Sequence, residues 1–245
     1  GVVTGWAPAV SGTTWAVGIQ GGQVFVGGDL RVAAGARTLL RIDASTGAVS
    51  DLWQPAPGNE VRVLLAASGR VLAGGLFSTH RARPARGLTG FSLSTGAWSP
   101  LPEVDGLVRA FATSGTTLFI GGGFSRVGGL VRQAIAAVDV PSGVVLPLAP
   151  IPESPTFGSP IFTGIQAIAV DGTTLYFAGG FTHVNGQPRP NLAAVDAVTG
   201  VLRAFEPPPP GGSNIGGLVA AHGRVWIGGG IGTTAPAPAR NWLVV

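Results

Sequence analysis

Five times along this chain a short apolar strand runs into a pair of small residues: Val24 to Leu30 (VFVGGDL), Val71 to Phe77 (VLAGGLF), Leu118 to Phe124 (LFIGGGF), Leu175 to Phe181 (LYFAGGF) and Val225 to Ile231 (VWIGGGI). The last residues of these copies lie 47, 47, 57 and 50 positions apart. Self-similarity at such a period marks a repeat architecture, because each unit has an apolar face that it cannot bury without a neighbour. Three further elements recur with it. A turn signal follows each of four copies, from Asp43 to Gly47, Ser92 to Gly96, Asp139 to Gly143 and Asp196 to Gly200, where the first residue can bond forward and the Gly supplies positive φ. An aromatic or Leu stands two before Pro at Trp6, Trp53, Trp98, Leu148 and Phe205, and Pro there ends a ladder strand. A residue-Gly pair closes a hairpin within 66–70, 112–116, 169–173 and 220–224.

Composition removes most alternatives. Of 245 residues 41 are Gly and 20 are Pro, so helix is disfavoured, while 45% are hydrophobic and mean hydropathy is +0.42, which supplies a core and excludes disorder. There is no Gly-x-y period, which excludes collagen, and no apolar run near twenty residues, which excludes a helical membrane span. All 15 basic residues are Arg, and the net charge is only +4, so the pI near 11.2 reflects missing Lys and Cys more than a basic surface. Neither nucleic-acid binding nor membrane insertion is expected. With Cys 0, disulfides, thiolate metal sites and cysteine nucleophiles are out, and the redox compartment stays open. The chain starts at Gly1 and has no Met; the expectation is a processed or excised module of a larger chain or assembly.

Four short antiparallel strands per unit of about fifty residues describe a propeller blade. The expected fold is therefore all-β, a five-bladed β-propeller of four-stranded blades forming a single domain over 1–245. The blades are expected at about 14–53, 61–101, 107–148, 164–205, and 216–245 plus 1–6. Joining Val245 to Gly1 gives a segment that aligns without a gap on Ala193 to Val201. The N-terminal strand, around Val2 to Trp6, is thus expected to pair with the C-terminal three strands and close the ring, which removes the open sheet edge.

The run from Leu175 to Gly200 (LYFAGGFTHVNGQPRPNLAAVDAVTG) resembles the Gly-Gly-x-Phe-Thr-x-Val-Asn-Gly repeat of bacterial secreted and surface β-propellers. A similar repeat occurs in fungal cortical polarity proteins. The resemblance spans the chain, is strongest from Leu118 to Phe205, and is degraded between Leu76 and Phe91 and after Ile231. It implies a fold and an extracellular or cell-surface setting, and it brings no shared catalytic motif.

In a propeller the loops between second and third strands share one face with the connections between blades. Arg31, Arg37, Arg81, Arg83, Arg86, Arg126, Arg132, Arg189 and Arg240 fall there against Glu60, Glu103, Asp105, Glu153 and Glu206, a face of net +4. The opposite face carries net −2. Arg37, Arg86, Arg132, Arg189 and Arg240 recur once per blade, and repeat-wide residues serve the repeat, here by tying loops down with a five-donor fork. Residues that break the repeat are better ligand candidates. Aligned on the small pair, the first inner-strand positions read Trp15, Arg62, Arg109, Gln166 and Gly216, expected to ring the channel mouth on the basic face. Phe157 and Phe162, in the insertion from Pro150 to Gly164, could add a stacking platform; the stiff insertion from Pro207 to Asn214 enlarges the same face.

Catalytic constellations are poor. Asp43, Asp139 and Asp196 read as turn formers, and His80, His183 and His222 lie on different blades or opposite faces, so neither a zinc site nor a Ser-His-Asp triad is assembled. The Gly pairs lack the following helix of a phosphate cradle. No cofactor, metal or catalytic residue is expected. The first reading is a non-enzymatic binding or interaction module of a secreted or surface protein, a carbohydrate-binding candidate whose partner is an anionic glycan or another protein. The alternatives are a glycan-acting hydrolase using Asp29 with Glu60 or Glu103, which needs two carboxylates at glycosidase separation, and a purely structural surface-array domain.

Overall fold

The computed structural model describes residues 5–53, 55–153, 164–205, 214–231 and 240–244. These residues form strands, turns and connections with no helix. They divide into two compact units, Gly1–Glu103 and Val104–Val245.

The first unit holds two main antiparallel sheets. One comprises Ser11–Gln20, Gln23–Val32 and Gly35–Asp43; the next comprises Glu60–Ala67, Arg70–Leu76, Leu88–Ser92 and Trp98–Ser99. The second unit holds three: Leu107–Ser114, Thr117–Gly123 and Ile135–Asp139; Ile165–Asp171, Thr174–Gly179 and Leu192–Asp196; and Asn214–Ala221, Arg224–Ile231 and Arg240–Val244. In each the first two strands are joined by a two-residue hairpin, at Gly21–Gly22, Ser68–Gly69, Gly115–Thr116, Gly172–Thr173 and His222–Gly223. At least one residue of every pair has positive φ, the twist-matched geometry that such hairpins require.

The recurring glycine pair has two separate causes. A Cβ on the first Gly would stand 2.7 Å from Cγ1 of Val61 at Gly27, and 2.7 Å from Cγ2 of Ile165 at Gly121, both on the inner strand of the following sheet. A Cβ on the second Gly would stand 2.0 Å from the Thr13 carbonyl oxygen at Gly28 and 2.0 Å from that of Leu107 at Gly122, inside the same sheet. The first and second sheets, and the third and fourth, pack face to face through these close approaches. Ala16, Phe25, Leu39 and Trp53 of the first sheet bury against Val61, Leu64, Val71, Ala73 and Phe91 of the second. Ala110, Phe119 and Ala137 bury against Ile165, Ile168, Leu175 and Phe177, and Ala178 and Leu192 against Ile215, Val225 and Ile227.

Two expectations are corrected. Among the described residues a fourth strand, the two-residue Trp98–Ser99, occurs only in the second sheet; in the first, third and fourth sheets the outer strand shrinks to a single bridge, Ile42 to Val49, Val138 to Val145 and Val195 to Leu202. The nearby Pro leaves little length for a ladder. The loop between second and third strands is also more structured than expected. In three sheets it forms a tiny hairpin, Thr79–His80 with Arg83–Pro84, Arg126–Val127 with Leu130–Val131, and His183–Val184 with Gln187–Pro188. Each hairpin pairs with the connection leading into its own sheet, through Pro57 to His80, Val104 to Val127, and Pro152–Glu153 to His183–Val184. Asp105 adds two bonds of this kind, accepting from the backbone N–H groups of Ser125 and Arg126 at 2.8 and 2.9 Å. Val2 to Thr4 and Val245, central to the expected closing strand, lie outside the described residues.

Candidate functional site

The aligned polar set does not begin the inner strands. Those strands start one to four residues earlier, and each member of the set sits at a register break: Trp15 between Thr14 and Ala16, Arg62 between Val61 and Val63, Arg109 between Val108 and Ala110, Gln166 between Ile165 and Ala167, and Gly216 between Ile215 and Gly217. Every one is the extra residue of a β-bulge, left without a cross-strand partner. The break is the counterpart of the glycine pair, since the kinked backbone brings a carbonyl into the second glycine's side-chain space.

In the first unit two bulges are joined. The Arg62 guanidinium lies 4.3 Å from the centre of the Trp15 ring. Its Nε donates to Glu60 Oε2 at 2.8 Å, and Nη2 bonds the same oxygen. The indole face and the charge are therefore both in use, and Glu60 is committed to an ion pair rather than to acid chemistry. In the second unit the corresponding pair is unspent. Arg109 is exposed and makes no hydrogen bond or ion pair among the described residues. Its Nη1 lies 3.3 Å from where a Gly164 Cβ would stand, two residues before Gln166. Gln166 is half-buried, and its side-chain Oε1 is buried without a hydrogen-bond partner among the described residues. Phe157 and Phe162 lie outside the described residues.

Three of the Arg that recur per sheet are used locally. Arg37 Nη1 donates to the Ala36 carbonyl at 3.1 Å, Arg132 Nη1 to that of Val131 at 2.8 Å, and Arg189 Nη1 to that of Pro188 at 2.7 Å. Arg132 also reaches the Leu146 carbonyl at 2.8 Å.

Most of the acids are structural as well. Asp43 accepts from the hydroxyl and N–H of Ser45 and of Thr46, which holds its carboxyl well below the usual range. Asp139 is lowered by the Ser142 and Thr116 hydroxyls and the Ser142 N–H. Asp196 is lowered to about 2, chiefly by the Thr199 and Val198 N–H groups, with Arg203 adding a bond at 2.7 Å. Among the described residues no three His, Asp or Glu gather as a metal site.

Sequence reasoning missed His80. It occupies the hairpin position that is Val127 in the third sheet and Val184 in the fourth, both fully buried. Its ring packs 5.2 Å from Phe91 and 5.4 Å from Trp98, with Nδ1 buried and without a hydrogen-bond partner among the described residues. Desolvation first, then the positive charge of Arg81, push its pKa down. The offset shared with the two valines was the available signal.

No protein-family model and no curated protein matches the chain. Among solved structures it is similar to the computationally designed Ika8 protein, at TM-score 0.52 and 16% identity, over 88% of this chain and 67% of that one. It is also similar to the computationally designed Ika4 protein, at TM-score 0.47 and 14% identity, over 75% of this chain and 91% of that one. At 16% identity the likeness to Ika8 is one of fold alone.

Proposed function

We propose that the chain is a closed five-bladed propeller serving as a non-enzymatic binding module of a secreted or surface protein, with an acidic glycan as ligand at the bulge-lined mouth. The closure rests on what each unit leaves uncovered. In the first sheet Val17 and Ile19 are 55% and 71% exposed and line an apolar groove of about 690 Å³ with Val24, Val26, Trp6 and Pro8. Val17 has the register of Leu64, Ile168 and Leu218, which pack against the preceding sheet. In the fifth sheet the opposite face is open, with Val219 61% exposed. The two faces complement one another. Trp6 adds to this, because its indole N–H donates to the Asp43 carbonyl at 3.2 Å much as that of Trp53, on the preceding outer segment, donates to Ser92 at 3.0 Å.

The ligand reading is carried by one observation, the exposed Arg109 guanidinium, which makes no hydrogen bond or ion pair among the described residues and whose Nη1 lies 3.3 Å from where a Gly164 Cβ would stand. The exposed guanidinium offers a cationic fork that suits an anionic group. Thermal-shift titration with sulfated, carboxylated and neutral oligosaccharides at low and high salt tests this. Anionic ligands should raise the melting point at low salt, and Arg109→Ala should remove most of the shift. Equal melting with every oligosaccharide would leave a protein partner or a purely architectural role.

A further inference from the structure

The hairpin of the second sheet departs from the two it resembles. The pairing of Pro57 with His80 matches that of Val104 with Val127, so Gly58 stands where Asp105 does in the third sheet. The carboxylate that fastens Ser125 and Arg126 there has no counterpart at Gly58, where even a Cβ would stand 2.4 Å from Thr79 Oγ1. The turn differs too. Arg81 and Ala82 take φ 47° and 65°, while the equivalent turns are built from Gly128–Gly129 at 57° and 81° and from Asn185–Gly186 at 50° and 75°. Left-handed backbone suits Gly and Asn and strains Arg and Ala. The Gly58 N–H donates to the Thr79 carbonyl at 2.7 Å, holding the hairpin to its connector, and the Ala85 N–H donates to that of Ser78 at 3.0 Å, closing its base.

Into this hairpin the sequence puts a titratable ring. His80 is 5% exposed and packs against Phe91 and Trp98. One ring nitrogen bonds the Ala56 backbone, which fixes the single proton of the neutral ring, and Nδ1 has no hydrogen-bond partner among the described residues. A second proton would therefore bury both a charge and a donor with nothing to accept it. The charged groups that act on the ring are Arg81 and then Arg83, both positive and both on its own hairpin. The connector and the strands Leu88–Ser92 and Trp98–Ser99 present it with Ala56, Pro57, Phe91 and Trp98, none of them charged. The Trp98 ring already has the Arg83 guanidinium 5.9 Å from its centre, so a charge on the imidazole would meet a like one.

We propose that His80 makes this hairpin an acid-released latch: once the ring is protonated, 78–85 detaches from the connector while the sheet behind it stays folded. The sheet keeps its core, because Val61, Leu64, Val71, Ala73 and Phe91 all lie outside the hairpin. The direction follows from proton affinity. Desolvation first, then Arg81, lower the pKa of the closed ring, whereas a detached ring in water has the ordinary value near 6.5. The latch is therefore shut above about pH 6.5, and below it the open fraction rises by up to about tenfold per pH unit until the closed ring is itself protonated. Release reaches one further feature. Arg81 and Pro57 line a cavity of about 390 Å³ with Thr38 and Pro55, so acid would remove part of its wall. The latch does not depend on Arg109 or on ring closure.

The test is hydrogen–deuterium exchange of the whole chain at about pH 7.5, 6.5 and 5.5, corrected for the intrinsic pH dependence of amide exchange. Amides of 78–85 should lose about tenfold in protection from the highest pH to the lowest, while 60–67 and 70–76 keep theirs. The hairpin at 124–132, with Val127 at the equivalent position, should not respond and serves as the internal control. His80→Val should stay closed throughout, since the same position is Val in two other sheets. Ala82→Gly relaxes the turn without touching the ring, and should move the opening to lower pH. Equal protection of 78–85 at every pH, loss of protection across 60–92 all at once, or acid opening that persists in His80→Val would overturn the latch.

Discussion

Gly122 and Gly123 are neighbours with opposite requirements. A Cβ at Gly122 would stand 2.0 Å from the Leu107 carbonyl oxygen, a rigid backbone atom, while at Gly123 it would meet nothing within 4 Å. Gly122→Ala should therefore cost about 3 kcal/mol or more by forcing the bulged strand away, and Gly123→Ala should stay within about 0.5 kcal/mol. Urea unfolding of the two variants makes the comparison. His80 supplies a pH-dependent counterpart. Because burial holds its folded pKa below the ordinary value near 6.5, the unfolded chain takes up the proton first. Stability from this group is complete above about pH 6.5 and declines as pH falls from there toward the folded pKa. The turn aspartates act in a separate, lower window, since their pKa values are also depressed and their contribution is lost only as pH drops below about 4. Urea midpoints between pH 8 and 5 should slope downward for the wild type and flatten in His80→Val.

At the scale of elements, the hairpin and its connector form a unit that Asp105 holds from one side. Asp105→Ala removes both bonds to Ser125 and Arg126 and should cost about 0.5–1.5 kcal/mol. Faster amide exchange should be confined to 124–132, with 107–114 unchanged; uniform acceleration would show that the hairpin is not a separate opening unit. These hairpins were hard to read from sequence for a physical reason. A strand of two residues, such as Arg126–Val127, has no periodicity, and its partner near Val104 is over twenty positions away. The glycine pairs and turn aspartates were legible because each is forced by local backbone chemistry, and the bulge residues because they vary where the rest of the repeat does not. The bulges themselves were not, since an aligned column shows that Arg62 and Gln166 are unlike without showing that the ladder slips there. The joint occupation of Trp15 by Arg62 and of Arg62 by Glu60 depends on side-chain placement that spacing does not encode.

For the whole molecule, ring closure turns on whether the exposed row of the first sheet is covered in solution. Under the proposed closure Ile19 is a core residue facing the fifth sheet, so Ile19→Asp should cost about 3 kcal/mol or more through an unpaired buried carboxylate. On an uncovered face the same change should lie within about 0.5 kcal/mol. Denaturant unfolding of Ile19→Asp beside Val219→Asp, which should behave alike, distinguishes the two cases.

The bulges have one more consequence. Along an ordinary strand every side chain belongs to one face or the other, so changing it disturbs a packed layer. The residue at a register break is released from that alternation, while the glycine pair opposite and the aliphatic rows on either side continue to specify the sheet. Positions 15, 62, 109, 166 and 216 already hold Trp, Arg, Arg, Gln and Gly on nearly the same scaffold. A library varied at those five sites alone should keep a high folded fraction while changing its chemistry, which makes the inner strands a natural place for new specificities to arise.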